Sequence, residues 1–162
     1  MDIFVEEALR VAVLTEKSSS DFYRSAAANT LNGRGKQVLE QLANEEAEHV
    51  QEIFELHSDI SIGCLMSLTE PIDGKIPFVL SEHAHETERD MTEKHALWLA
   101  LDQEQACIDR YEVFVAAFRE PKVRKVFEQA LYMSRKHYKS LEEKFQHLTN
   151  SPWQSDPVCC QI

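Results

Sequence analysis

Residues 44–53 read NEEAEHVQEI. Within them Glu46 and His49 stand in line with Leu39 and Leu42 before them and Ile53 and Leu56 after them, at steps that alternate between three and four. Such steps keep side chains on one face of an α-helix. A carboxylate and an imidazole on an otherwise apolar face are costly to bury unless they are paired or bind a metal. The segment therefore needs a helical surface to pack against and a partner for its charged groups.

The same spacing recurs on either side. Val5, Leu9, Ala12, Glu16, Ser19, Tyr23 and Ala26 form one stripe. Leu97, Ala100, Glu104, Cys107, Tyr111, Phe114 and Phe118 form another, and Val123, Phe127, Ala130, Ser134, His137 and Leu141 a last one. Four amphipathic stripes predict an all-α four-helix bundle. The helix breakers agree, because the four Gly and five Pro cluster at 33–35, 63–77, 121 and 152–157.

Asn32, Gly33 and Gly35 supply a turn after the first helix, and Pro121 suits an early helical position, where its missing N–H costs little. Both turns are short, so each helix pair is an antiparallel hairpin. Residues 58–87, with Gly63, Pro71, Gly74 and Pro77, read as a long crossover. At about 3.3 Å per extended residue it can run the length of a helix of about 40 Å, which makes the second and third helices parallel. The bundle then occupies residues 1–149, and residues 150–162 form a C-terminal tail.

The hairpins repeat at an offset of 88 residues, which pairs Leu9 with Leu97, Glu16 with Glu104, Tyr23 with Tyr111 and His49 with His137. Apolar coincidences carry little weight between amphipathic helices; repeated polar residues carry more. Glu16 and Glu46 lie symmetrically about residue 31, and Glu104 and position 134 about residue 119. Side chains from all four helices should meet at mid-bundle.

With 162 residues, 43% of them hydrophobic, the chain suits one domain with a packed core. Its net charge of −11 disfavours nucleic acid and anionic membrane surfaces as partners. No apolar run reaches the roughly 20 residues that cross a bilayer, and the acidic start MDIFVEEALR lacks a basic leader region. The expectation is a soluble cytoplasmic protein. Cys64, Cys107, Cys159 and Cys160 include no CxxC pair and form no disulfide framework, so a reduced compartment is the simpler reading.

Glu16, Glu46, His49, Glu104 and His137 in one seam need a shared partner. Mixed oxygen and nitrogen donors suit iron or manganese and are compatible with zinc. A Glu-x-x-His step puts Glu46 and His49 over one ion, while the second carboxylate oxygen bridges to another. On these residues the chain resembles the ferritin-like di-iron carboxylate family, most closely the helical domain of rubrerythrin. The resemblance spans about residues 5–148 and rests on TEKSSSDFYRSAA with Glu16, NEEAEHVQEI, DQEQACIDRYEVF with Glu104, and the Ser-x-x-His of SRKHYKSLE.

That resemblance implies one or two iron ions, reduction of peroxide or dioxygen, and a homodimer. It implies that Tyr23 and Tyr111, each seven residues after a predicted ligand, support the ligands by hydrogen bonding. The family's rubredoxin module needs two CxxC pairs, which this chain lacks, so an external protein must donate electrons. The adjacent Cys159 and Cys160 supply at most half of such a four-thiolate shell.

One position departs from the family: Ser134 stands where the fourth helix should supply the glutamate of a second Glu-x-x-His. Glu16, Glu46 and Glu104 carry three negative charges, one short of balancing two divalent ions. A degenerate bundle acting in protein interaction, with a structural, single or absent metal, is therefore a competing reading; ferritin-type iron handling is a third.

Tyr23 and Tyr111 read equally well as packing residues. Cys107 reads as a small buried hydrophobe, with a thiolate ligand as the alternative. The pair His83 and His85 with Glu86 is a weak surface-metal signal. The acids Glu40, Glu45, Glu48, Glu52 and Glu55 read mostly as a solvated face.

Overall fold

Four helices occupy the described residues of the computed structural model, which are 3–56 and 92–150. They are α1 (Ile3–Asn29), α2 (Gly33–Leu56), α3 (Glu93–Ala117) and α4 (Pro121–Thr149). No strand occurs among the described residues. The predicted crossover at 58–87, the His83–His85 pair and the two tail cysteines lie outside them.

Side chains capture the helix ends. The Asn32 carboxamide oxygen accepts from Gly35 N at 2.9 Å, and the Asn32 carbonyl accepts from Lys36 N, also at 2.9 Å. Asn32 thus caps α2, and Gly33 and Gly35 lie in the first helical turn instead of the connection that their type suggests. Thr92 Oγ1 accepts from His95 N at 3.2 Å at the start of α3. Glu120 accepts from Val123 N at 2.7 Å ahead of Pro121, which opens α4 as expected. Asn150 closes α4 in the left-handed region, φ 53°, with its N–H on the Gln146 carbonyl at 2.8 Å.

Truncating Asn32 to alanine should cost about 1 kcal/mol and lower Tm by about 2–4 °C. Serine at that position should keep most of the stability. A thermal melt checks both, and an unchanged Tm for alanine would mean that the Asn32 side chain does not stabilise α2.

Among the described residues the predicted stripes are buried, with His49 and Phe114 partly so, and one residue is exposed. Phe118 ends the third stripe, yet it lies beyond the last turn of α3, is 41% exposed, and stacks on Phe127 with ring centroids 5.5 Å apart. The core falls into two apolar layers. Val5, Leu9 and Val13 pack with Ile53, Ile108, Val123 and Phe127 in one. Ala26, Leu39 and Leu42 pack with Leu97, Leu101, Leu141 and Phe145 in the other. Between them lies a band of buried polar side chains: Glu16, Ser19, Glu46, Gln103, Glu104, Ser134 and His137.

This layering gives the topology. The first halves of α2 and α3 share one layer with the second halves of α1 and α4. Arg34 and Glu93, near the starts of α2 and α3, approach to 4.0 Å. Each hairpin is therefore antiparallel, and α2 runs parallel to α3. No helix of the described residues is long and apolar enough to cross a membrane.

Candidate metal centre

Helical phase places one predicted ligand from each of α1 and α3, and the Glu-x-x-His pair of α2, at the level of the polar band. Glu46 is at its centre, 1% exposed. Its Oε2 lies 3.3 Å from His49 Nδ1, and its Oε1 lies 3.1 Å from His137 Nδ1. Glu16 Oε2 is 3.3 Å from the same His49 nitrogen, and Glu104 Oε1 is 2.9 Å from His137 Nδ1. The two imidazoles meet edge to face, ring centroids 5.2 Å apart. Three carboxylates thus alternate with two imidazoles.

Burial raises the Glu16 carboxyl to about 7 and, helped by the Glu46 charge, the Glu104 carboxyl to about 8. Burial acts on Glu46 in the same direction, but hydrogen bonding to His137 and His49 overrides it and holds that carboxyl well below its ordinary range. Burial likewise opposes charge on the imidazoles and is overridden. Glu16 and Glu46 raise His49 to about 10, and Glu104, Glu45 and Glu46 raise His137 to about 12. Near neutral pH, protons hold the metal-free cluster together.

Tyr111 donates its hydroxyl to Glu16 Oε1 at 2.9 Å. The supported carboxylate is in the other hairpin, not the glutamate two turns earlier on the same helix. Tyr23, its repeat mate, is fully buried, and its hydroxyl has no hydrogen-bond partner among the described residues. Cys107 accepts a weak contact from Gln103 Nε2 at 3.7 Å, and burial beside three carboxylates holds its thiol neutral. It packs in the apolar layer that holds Leu9, Ile108 and Phe127. Ser134 is 2% exposed, one turn before His137, and brings no charge.

Glu45 is the residue that the stripe reading misplaces. It is not part of the solvated face: its Oε2 lies 2.9 Å from His137 Nε2, and its Oε1 accepts from Gln41 Nε2 at 2.6 Å. The imidazole contact holds its carboxyl down at about 2. One residue from Glu46, it points about 100° around the helix, off the seam and toward α4. The available signal was adjacency to a Glu-x-x-His pair.

These residues fit a cation. Glu46 Oε1 is buried and accepts no well-aligned hydrogen bond, despite the short distance to His137. Donor atoms of Glu46, His49 and His137 all lie within 4.8 Å of one another. Hard oxygens and imidazole nitrogens are the donor set that iron and manganese prefer. A family model described as Rubrerythrin matches residues 7–145. No curated protein and no solved structure matches the chain.

Proposed function

The chain belongs to the rubrerythrin family, whose domain is a ferritin-like di-iron domain, and from that premise we propose that it binds iron and reduces peroxide or dioxygen. The observation that carries the reading is Glu46, enclosed between two imidazoles and flanked by Glu16 and Glu104 at mid-bundle. Glu16, Glu46, His49, Glu104 and His137 would hold the metal. When bound, iron supplies one-electron chemistry between its ferrous and ferric states.

The chain's own part is positioning, charge and access. Glu46 offers one oxygen toward each imidazole. Tyr111 fixes the orientation of Glu16 from the opposite hairpin. The apolar layers above and below restrict water to the polar band. A cleft of about 250 Å³ between α2 and α4 is lined by His49 and His137 together with Glu48, Glu52 and Tyr132, and a molecule as small as peroxide can reach both imidazoles through it. Reduction of one peroxide to two waters consumes two electrons and two protons; the electrons would come from a separate donor protein. A homodimer is part of the proposal, and sedimentation at micromolar concentration checks it.

Anaerobically loaded ferrous protein should be oxidised by peroxide faster than free ferrous ion in matched buffer, read by stopped-flow absorbance. Equal rates would favour the second reading, a bundle whose metal is structural or single. That reading rests on Ser134, the neutral residue at the fourth carboxylate position.

A further inference from the structure

Charge is not spread evenly along the chain. Residues 122–139 hold six Lys and Arg against one Glu, in a protein whose net charge is −11. Two of the six are paired, Arg124 with Glu128 at 2.8 Å and Arg135 with Glu112 at 2.6 Å. Lys122, Lys125, Lys136 and Lys139 are exposed and have no ion-pair partner among the described residues. Steps of seven, four and three put Lys125, Tyr132, Lys136 and Lys139 on one outer face of α4, over a length of about 21 Å. Tyr132, at the middle of that stripe, is 68% exposed. Tyr132 and Lys136 also line the cleft that reaches His49 and His137, so the stripe borders the opening to the candidate metal centre.

We propose that this face of α4 is where the electron donor docks, and that the donor is a small one-electron carrier with an acidic surface. This rests on the redox reading above, which requires a separate donor. Lysine is scarce at the centre of lasting interfaces, whereas an exposed aromatic ring among lysines suits a brief encounter steered by charge. Electron-transfer contacts are of that small, transient kind. Glu48 and Glu52 face the stripe across the cleft, and with the negative remainder of the chain they repel an extended polyanion and confine an acidic partner to α4. A carrier seated there lies beside His137, the neighbour of Lys136 in sequence. It gives up one electron per visit and leaves oxidised by one unit. Two visits supply the two electrons that one peroxide consumes.

The test uses flavodoxin, an acidic one-electron carrier, and the full chain. Oxidised flavodoxin, which cannot donate, is titrated calorimetrically into wild type and into an α4 variant carrying Lys125→Glu, Lys136→Glu and Lys139→Glu. A control of equal net charge carries Lys17→Glu, Arg24→Glu and Arg34→Glu, all exposed and off α4. Circular dichroism verifies each fold. At an ionic strength of about 0.01 M the α4 variant should bind at least about tenfold more weakly than wild type, and at about 1 M the difference should vanish. The control should stay close to wild type, and Tyr132→Ala should weaken binding without changing its salt dependence. Reduced flavodoxin should pass electrons to ferric-loaded wild type at a second-order rate that the α4 substitutions lower by about tenfold. Equal losses in the two triple variants would mean that net charge alone governs binding, and overturn the inference. Dissociation of a homodimer by the α4 substitutions, read by sedimentation, also overturns it and gives the face to a second copy. No binding by wild type overturns it while leaving the redox reading standing. Binding without electron transfer overturns the redox reading and the donor role together.

Discussion

Replacing Glu46 with alanine should abolish the rise in Tm that ferrous or manganous ion gives the wild-type protein, and should weaken metal binding by at least about a hundredfold, the equivalent of ~3 kcal/mol. Glu46 is the only carboxylate among the described residues within 3.5 Å of both imidazoles, and it is almost wholly buried. Its loss leaves His49 and His137 facing Glu16 and Glu104 separately, with nothing joining the two halves of the cluster. The metal-free variant should lose less than the metal-bound one. Without the Glu46 charge beside it, Glu104 ionises more readily and takes over part of the pairing with His137. Differential scanning calorimetry with and without excess metal measures both effects. An equal metal-induced shift in variant and wild type would show that the ion binds elsewhere.

The second large effect is a reversal of pH dependence on loading. Glu16 and Glu104 keep their protons in the folded metal-free protein up to about 7 and 8, whereas the unfolded chain releases them near 4.5. The folded state then binds more protons across that window, so stability falls as pH rises through it. His49 and His137 add the same sign above 6.5, since each holds its proton to about 10 and about 12 when folded. Metal-free Tm should therefore decline by several degrees between pH 5 and 8. A metal ion replaces those protons, so its binding tightens as they become easier to remove, and the metal-induced rise in Tm should grow over the same interval. Melts in a pH series, with and without manganous ion, decide the matter. A metal-free Tm that climbs toward pH 8, or a metal shift insensitive to pH, contradicts the protonation pattern.

The bundle was legible because each helix writes its buried face in steps of three and four, and the seam glutamates interrupt that face without breaking its phase. The repeat was legible for the same reason: Glu16 and Glu104 occupy matching heights in the two hairpins. Contacts that leave the stripe were not. Glu45 sits one residue off it, and only the position of α4 turns an apparently solvated acid into a partner of His137. The resemblance marked Tyr111 as a supporting residue, yet periodicity gives a face and not a reach, so the hydroxyl's crossing to Glu16 needed three dimensions. Asn32 displaced Gly33 and Gly35 from the turn because its side-chain oxygen satisfies a first-turn N–H, a capping preference of asparagine that reading the two glycines as turn residues passes over.

Neither hairpin holds a whole site. Glu16, Glu46 and His49 belong to one, Glu104 and His137 to the other, and the short contacts from His137 to Glu46 and from Tyr111 to Glu16 cross between them. Hairpins assemble from contacts close in sequence and form early, whereas their mutual docking closes a long loop and comes late. On the proposed function, the full donor set would thus be assembled only in the last step of folding. A newly made chain would lack part of its metal ligands until its halves have met, and an ion bridging them would act as a latch on the finished molecule.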